Sequence, residues 1–151
     1  MPPSPSSRAA GQGGAGARPD YVLVFDGGSL GNPGQGYGSY LITRTVDGKK
    51  RLRRLEFGSH CTNNEAEYDT LIAALNDLVD RIVAAHRDPS DYSLEVRGDS
   101  MLVIRQLQGK WKVREPRMQE RVARCLPLLR RFGVVSLHQQ PRAETVRLLG
   151  H

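Results

Sequence analysis

Cysteine and long apolar segments are both scarce in this sequence. The two cysteines, Cys61 and Cys125, have the spacing of neither a zinc site nor a redox pair. Their scarcity excludes a disulfide-stabilised scaffold and favours a reducing compartment, so we expect a cytoplasmic protein. No apolar run approaches the roughly 20 residues that a membrane-spanning helix needs, which argues against a membrane protein.

Residues 1–19 contain almost nothing that could be buried. They are mainly Pro, Ser, Gly, Ala and Arg, and they include no apolar signal-peptide core. This composition predicts a disordered N-terminal arm followed by one domain over 20–151. Arg8 and Arg18 could contact nucleic acid, although a solvated tail is the simpler interpretation.

Positive charge is in excess along the chain. The formal net charge is +6 at pH 7 and the isoelectric point is about 9.7. Such a charge fits a polyanionic partner, and it equally fits simple solubility. Charge alone therefore does not identify a partner.

Two short strand-like segments each run into an aspartate. Residues 22–25 precede Asp26, and residues 94–98 precede Asp99. Ligands of open α/β sheets bind at the carboxyl ends of strands, and two carboxylates placed there repel each other unless a cation lies between them. The pattern therefore predicts a divalent-metal site, with helix capping as the alternative role for Asp99.

The segment ending at Asp26 is apolar on both faces, which predicts a central strand covered on each side. A glycine-rich turn over 26–36 follows it, and these glycines fit either close backbone approach to a ligand or a wide hairpin. Strands are predicted over 37–44 and 50–58, joined by a turn at 47–48. The first three strands would then form an antiparallel meander.

An apolar stripe predicts a helix over 64–85. The members of this stripe are Leu71, Leu75, Leu78 and Ile82. Four residues before the stripe stands Glu67, so a carboxylate faces the core and is a candidate metal ligand. Glu65 points about 200° away, so we expect it in solvent, in a capping box with Thr62.

The remainder of the chain predicts two more helices and two parallel strands. The crossover through the long helix is sufficient for parallel pairing of the strand that ends at Asp99. A short helix over 100–108, a helix starting near Pro116 and a strand over 134–138 follow. The helix at Pro116 has one arginine-bearing side, which is either a phosphate-facing strip or a solvated surface. Its arginines are Arg117, Arg121, Arg124 and Arg130.

Four segments, in this order, resemble the motifs of type 1 ribonuclease H. They are residues 26–34 (DGGSLGNPG), 62–68 (TNNEAEY), 98–103 (GDSMLV) and 109–114 (GKWKVR). The resemblance implies an α/β fold with a ribonuclease H-like five-stranded mixed sheet, antiparallel in its first three strands and then parallel, flanked by helices. It also implies endonucleolytic hydrolysis of the RNA strand of RNA–DNA hybrids with two Mg²⁺ or Mn²⁺ ions.

The same resemblance implies a set of site residues. Asp26, Glu67 and Asp99 are the expected metal ligands and, with His138, the expected catalytic residues. The expected substrate contacts are Asn32, Thr62, Asn63, Asn64, Ser100, Trp111, Lys112 and Arg114. Side-chain amides suit the wide minor groove in which RNA is distinguished from DNA. Two alternatives stay open, a core aromatic for Trp111 and an ordinary strand-end histidine for His138.

The family pattern is incomplete near the C-terminus. Aligning Pro141 and Arg142 with the family places Leu149 where a fourth carboxylate is expected, and the terminal helix is expected to be truncated. Two hypotheses follow, a working ribonuclease and a hybrid-binding module that has lost hydrolysis. The three remaining carboxylates favour the enzyme, and a monomer suffices for either function.

Overall fold

The sheet has five strands in the order β3-β2-β1-β4-β5, in a computed structural model that describes residues 17–150. The strands are β1 Tyr21–Leu30, β2 Gln35–Arg44, β3 Lys49–Glu56, β4 Ser93–Gly98 and β5 Val134–Gln139. β2 pairs antiparallel with β1 and β3, whereas β4 pairs in parallel with β1 and β5. The predicted meander followed by parallel strands is confirmed. Most of the predicted arm lies outside the described residues, so the arm and the domain boundary remain predictions.

Helices cover both faces of β1, as its two apolar faces predict. The α-helices of the described residues are α1 Asn63–Ala84, α2 Met101–Leu107, α3 Pro116–Leu129 and α4 Arg142–Leu149. The first three share one core with Leu23 and Phe25, while α4 covers Val24 on the opposite face. None of the helices within 17–150 is long and apolar enough to cross a membrane.

β1 extends beyond its predicted end. Its antiparallel pairing with β2 continues past Asp26 to Leu30, so the turn is confined to residues 31–34. The glycines at 27 and 28 are therefore strand residues rather than turn residues. The parallel ladder with β4 stops where Phe25 lies opposite Gly98. Asp26 and Asp99 are the first residues beyond that ladder, which brings them to the same edge of the sheet.

Glu65 corrects the predicted outer face of α1. Its side chain is only 4% exposed, because α3 packs beside it and places Arg117 and Arg121 at 3.2 and 3.4 Å from Oε2. The capping box with Thr62 is confirmed. Arg121 also pairs with Asp69 at 2.9 Å. The arginine side of α3 is therefore partly an interhelical ion-pair surface, which neither sequence alternative included.

Candidate active site

Three carboxylates from different elements meet at the edge of the sheet. Oxygen atoms of Asp26 in β1, Glu67 in α1 and Asp99 after β4 all lie within 4.8 Å of one another. Asp26 and Glu67 are buried, and Asp99 is partly buried. The structure thus assembles the three acids that the sequence singled out.

A glycine permits α1 to approach β1 this closely. A Cβ atom on Gly27 would lie 2.5 Å from the carbonyl carbon of Ala66 and 2.7 Å from the backbone nitrogen of Glu67. Any larger residue at this position would push the first turns of α1 away from the strand. The backbone N–H of Gly27 also lies beside the Glu67 carboxylate and lowers its pKa, against the larger upward effect of burial. Gly27 therefore holds Glu67 beside Asp26.

The electrostatics of the cluster suit a cation. Burial raises the pKa of Glu67 well above its usual value, and the charges of Asp26 and Asp99 raise it further. Burial and Asp26 likewise raise the pKa of Asp99. The Oε2 atom of Glu67 is buried and has no hydrogen-bond partner. An unpartnered buried oxygen beside two more carboxylates fits a hard divalent ion that prefers oxygen ligands.

Arg142 also belongs to this site, a role that the sequence pattern did not predict. Its Nη1 donates a 3.0 Å hydrogen bond to Oδ2 of Asp99 and contacts the Asp26 oxygens at 3.3 and 3.5 Å. The side chain is 64% exposed and enters from the first turn of α4. One sequence feature could have indicated this role: Arg142 closely follows a strand that was predicted to end at the same sheet edge as the carboxylates.

The position of the expected fourth carboxylate is apolar in the structure as well. Leu149 is fully buried and packs with Val24 and Leu41 beneath α4. Within residues 17–150, the group formed by Asp26, Glu67 and Asp99 is the one potential metal-holding cluster of acids, histidines or cysteines.

His138 does not join the carboxylate cluster. It lies in β5 opposite Arg97, with its exposed ring directed to Glu95 at 3.8 Å between Nε2 and Oε1. By the strand register, His138 is on the same sheet face as Val24 and Asp26. Its catalytic role remains a prediction.

Asn32 and Asn63 join the β1–β2 turn to the start of α1. The Oδ1 of Asn32 accepts a hydrogen bond from the backbone N–H of Asn63, and the Oδ1 of Asn63 accepts one from Ser29, each at 2.8 Å. These bonds use the amide oxygens and leave the two NH₂ groups as donors for a ligand. Nearby, Thr62 caps α1 and Asn64 is exposed in its first turn.

Ser100, rather than Asp99, caps α2. Its hydroxyl accepts a 3.3 Å hydrogen bond from the backbone N–H of Val103. The capping alternative for Asp99 is therefore wrong, and its carboxylate instead faces Asp26 and Glu67. A contribution of Ser100 to substrate binding remains a prediction.

The segment around Trp111 is exposed but anchored from below. Trp111 is 44% exposed and Lys112 and Arg114 are exposed beside it, so the core-aromatic alternative is wrong. The hydroxyl of Tyr68 donates to Gln106 at 2.6 Å, and the side chain of Gln106 donates to the backbone oxygen of Lys112 at 3.4 Å. Tyr68 directly follows Glu67 in α1, so this connection links the segment to the carboxylate cluster.

Comparisons with known proteins agree on one family. The family profile described as "Reverse transcriptase-like" matches residues 25–146. Ribonuclease HI of Halobacterium salinarum is 37% identical over 123 residues, covering 82% of this chain and 57% of that protein. The bifunctional protein Rv2228c of Mycobacterium tuberculosis is 34% identical over 128 residues, covering 81% of this chain and 31% of that protein. The chain therefore spans little more than half of the first relative's length and about a third of the second's.

Solved structures extend the similarity to the fold. LC11-RNase H1 in complex with RNA/DNA hybrid has a TM-score of 0.74 and 32% identity, covering 84% of this chain and 89% of that one. RNase H1 from Halobacterium salinarum has a TM-score of 0.70 and 34% identity, with the same two coverages. The profile match, the shared fold and the three assembled acids all agree. This chain belongs to the type 1 ribonuclease H family.

Proposed function

We propose that this protein is a metal-dependent endoribonuclease that hydrolyses the RNA strand of RNA–DNA hybrids. The observation that carries the proposal is the convergence of Asp26, Glu67 and Asp99, with a buried Glu67 oxygen that lacks a donor. The complex of the similar LC11-RNase H1 with RNA/DNA hybrid supports the choice of substrate.

The same three carboxylates would hold two Mg²⁺ or Mn²⁺ ions. Three negative charges offset the mutual repulsion of two divalent ions, and carboxylate oxygens are the ligands that such hard ions prefer. When bound, such an ion pair supplies activation of a water and stabilisation of the leaving 3′ oxygen of a phosphodiester. Gly27 and the α1 packing that it permits keep the Glu67 carboxylate in place.

The remaining predicted residues bind and orient the hybrid. The NH₂ groups of Asn32 and Asn63 donate to acceptors in the minor groove, including 2′-hydroxyls. Trp111 packs on a sugar or base, and the exposed Lys112 and Arg114 neutralise phosphates. Further contacts come from Thr62, Asn64 and Ser100. His138, whose ring is exposed, is the proposed group for proton transfer.

Hybrid binding without hydrolysis is a second candidate function, and two observations favour it. Leu149 stands where the family pattern has an acid, and the guanidinium of Arg142 already contacts both Asp26 and Asp99. A cation of the protein at this position opposes the binding of a second metal ion.

A labelled hybrid distinguishes the two candidates. With Mg²⁺ or Mn²⁺, we expect the wild type to cleave the RNA strand, and Asp26→Asn to lose at least about 100-fold of this rate while hybrid affinity stays within about threefold. Asp80→Asn, which neutralises an exposed carboxylate on α1, is the matched control and should cleave normally. A wild type that binds the hybrid without cleaving it would select the binding module.

A further inference from the structure

An exposed apolar patch lies on the β1–β2 hairpin beyond the carboxylates. It consists of Leu30, which is 70% exposed at the end of β1, and Tyr37, which is 38% exposed in β2. Leu30 pairs with Gln35 and Tyr37 pairs with Gly28, so the two apolar side chains are diagonal neighbours on one face of the hairpin. Diagonal neighbours have Cα atoms about 7–8 Å apart, which is within reach of a tyrosine ring. We name these two residues the hairpin patch.

Gly28 determines how Tyr37 lies before any ligand binds. A Cβ atom on Gly28 would be 2.5 Å from the Oη and 2.8 Å from the Cζ of Tyr37. The phenol ring therefore lies across β1 on the bare backbone of Gly28, and a side chain at this position would displace it. A ring that is already held in place loses little conformational entropy when it contacts a ligand.

The hairpin patch is on the face of the sheet that carries Asp26. Residues 26, 28 and 30 alternate along β1, and alternate residues of a strand share a face. At about 3.4 Å per residue, Gly28 is about 7 Å and Leu30 about 14 Å beyond Asp26 along the strand. Helix α4 covers Val24 on this face and leaves the hairpin patch exposed. The patch is therefore an accessible apolar surface directly beside the proposed active site.

The nucleic-acid strand that carries the scissile phosphate is the occupant that this position favours. A duplex that presents a phosphate to Asp26 is wider than the distance from Asp26 to Gly28, since its major groove alone is about 12 Å wide. Each nucleotide advances about 3.4 Å along a duplex, so the patch lies about two to four nucleotides from the scissile phosphate. Sugars and base edges there offer apolar surface on which aromatic and aliphatic side chains pack.

Trp111 would contact the same duplex from the other layer of the molecule. Its segment is connected to α1 through Gln106 and Tyr68, and α1 and α2 pack on the opposite face of β1. We propose that the hairpin patch packs on the RNA strand of the bound hybrid, to one side of the scissile phosphate. The inference rests on the proposed substrate and adds a contact that fixes where the RNA strand lies.

Cleavage of one hybrid at many positions tests the proposal, because each cleavage position fixes the register of the RNA strand on the protein. Leu30→Ser/Tyr37→Ala is compared with the wild type in Mg²⁺, below saturation, on hybrids labelled at either RNA end. At interior positions the variant should cleave about fivefold to tenfold more slowly, as for truncation of two packed contact residues. Within about two nucleotides of one RNA end, no nucleotide reaches the patch, so both proteins should cleave equally there.

A general defect gives a different pattern. An equal loss at every position, including both RNA ends, or no loss at any position would overturn the proposal. Tyr37→Phe keeps the ring and should recover most of the rate that Tyr37→Ala loses, because the ring makes the contact.

The matched control removes two exposed apolar side chains elsewhere. Val46→Ser/Val83→Ser changes the β2–β3 turn and the end of α1, and it should cleave like the wild type at every position. An equal loss in this variant would show that the rate does not depend on the hairpin patch. Thermal melts of all variants show whether they are folded.

Amide chemical shifts of the wild type give a readout that needs neither variants nor cleavage. In EDTA, the hybrid should move the resonances of residues 28–30 and 36–38. No movement of these resonances would overturn the patch, even if the wild type cleaves the hybrid and the proposed function stands. Movement with protein concentration alone would identify a second copy as the occupant and equally overturn the proposal. A wild type that shows the hybrid-dependent shifts without cleaving would retain the patch and reject hydrolysis.

Discussion

The guanidinium of Arg142 donates a 3.0 Å hydrogen bond to Asp99 and lies within 3.5 Å of both carboxylate oxygens of Asp26. It therefore places one positive charge between two of the three proposed metal ligands. Because the arginine side chain is largely exposed, it can leave the carboxylates without disturbing the core. Arg142 and a metal ion are thus expected to compete for the same charges.

Replacing Arg142 tests this competition. We expect Arg142→Gln to bind Mn²⁺ about threefold to tenfold more tightly in titration calorimetry, since losing one partly exposed ion pair corresponds to roughly 1 kcal/mol. Arg147→Gln, which removes an arginine paired with Glu144 on the same helix, is the control. Unchanged or weaker Mn²⁺ binding by Arg142→Gln would show that the guanidinium does not compete.

Glu67 should make the metal-free protein less stable as pH rises. Burial, followed by Asp26 and Asp99, raises the pKa of Glu67 in the folded chain. A carboxyl that holds its proton more tightly when folded contributes its full stability below the unfolded pKa of about 4.5. That contribution is lost as pH rises through the folded pKa.

Neutralising Glu67 should therefore stabilise the metal-free protein at neutral pH. In EDTA at pH 7 we expect Glu67→Gln to gain about 0.5–2 kcal/mol in free energy of unfolding, with a smaller gain near pH 4. Melting curves of the variant and the wild type from pH 4 to 8 measure the difference in their stability. Because the two proteins differ only at residue 67, this difference reports on Glu67 rather than on the other acids. A lower melting temperature for the variant at pH 7 would contradict the assigned shift.

Gln106 should act on hybrid binding as a positioning residue. Gln106→Leu removes its hydrogen bonds to Tyr68 and Lys112 at similar volume, so the Trp111 segment loses its link to α1. We expect KM for the hybrid to rise about threefold to tenfold while kcat stays within about twofold. This is the result expected when an interaction that binds substrate and transition state equally is lost.

Trp111 provides a second readout of this prediction, because it is the single tryptophan of the chain. Its fluorescence should change in Gln106→Leu and to a smaller extent in Tyr68→Phe, which removes only one of the two bonds. A loss of kcat with unchanged KM and unchanged fluorescence would refute a positioning role.

Glu65 should contribute to stability through its charge and its cap. Glu65→Gln keeps a side-chain oxygen for the capping box but removes the charge between Arg117 and Arg121, and we expect a loss of about 1 kcal/mol. Glu65→Ala removes both and should lose about 2–3 kcal/mol. Urea unfolding measures both, with the exposed Arg124→Ala as a control expected within about 0.5 kcal/mol. Equal losses of stability in the two Glu65 variants would show that the cap makes no separate contribution to the free energy of unfolding.

Local patterns in the chain were sufficient to predict most of the sheet and the three acids. Asp26 and Asp99 each follow a strand-like segment, and parallel pairing of adjacent strands brings such ends together. Glu67 could be placed because the apolar stripe of α1 continues backward onto it. Each of these inferences depends only on the period of a strand or a helix and on the direction of pairing.

Contacts between distant elements decided the remainder. Glu65 is buried because α3 packs against α1, Arg142 reaches the acids because α4 starts beside them, and Gln106 meets Tyr68 across the core. The periodicity of one element shows which face is apolar, but it does not show which neighbour covers the polar face. That choice follows from the packing of the whole chain, where burial and pairing are satisfied together.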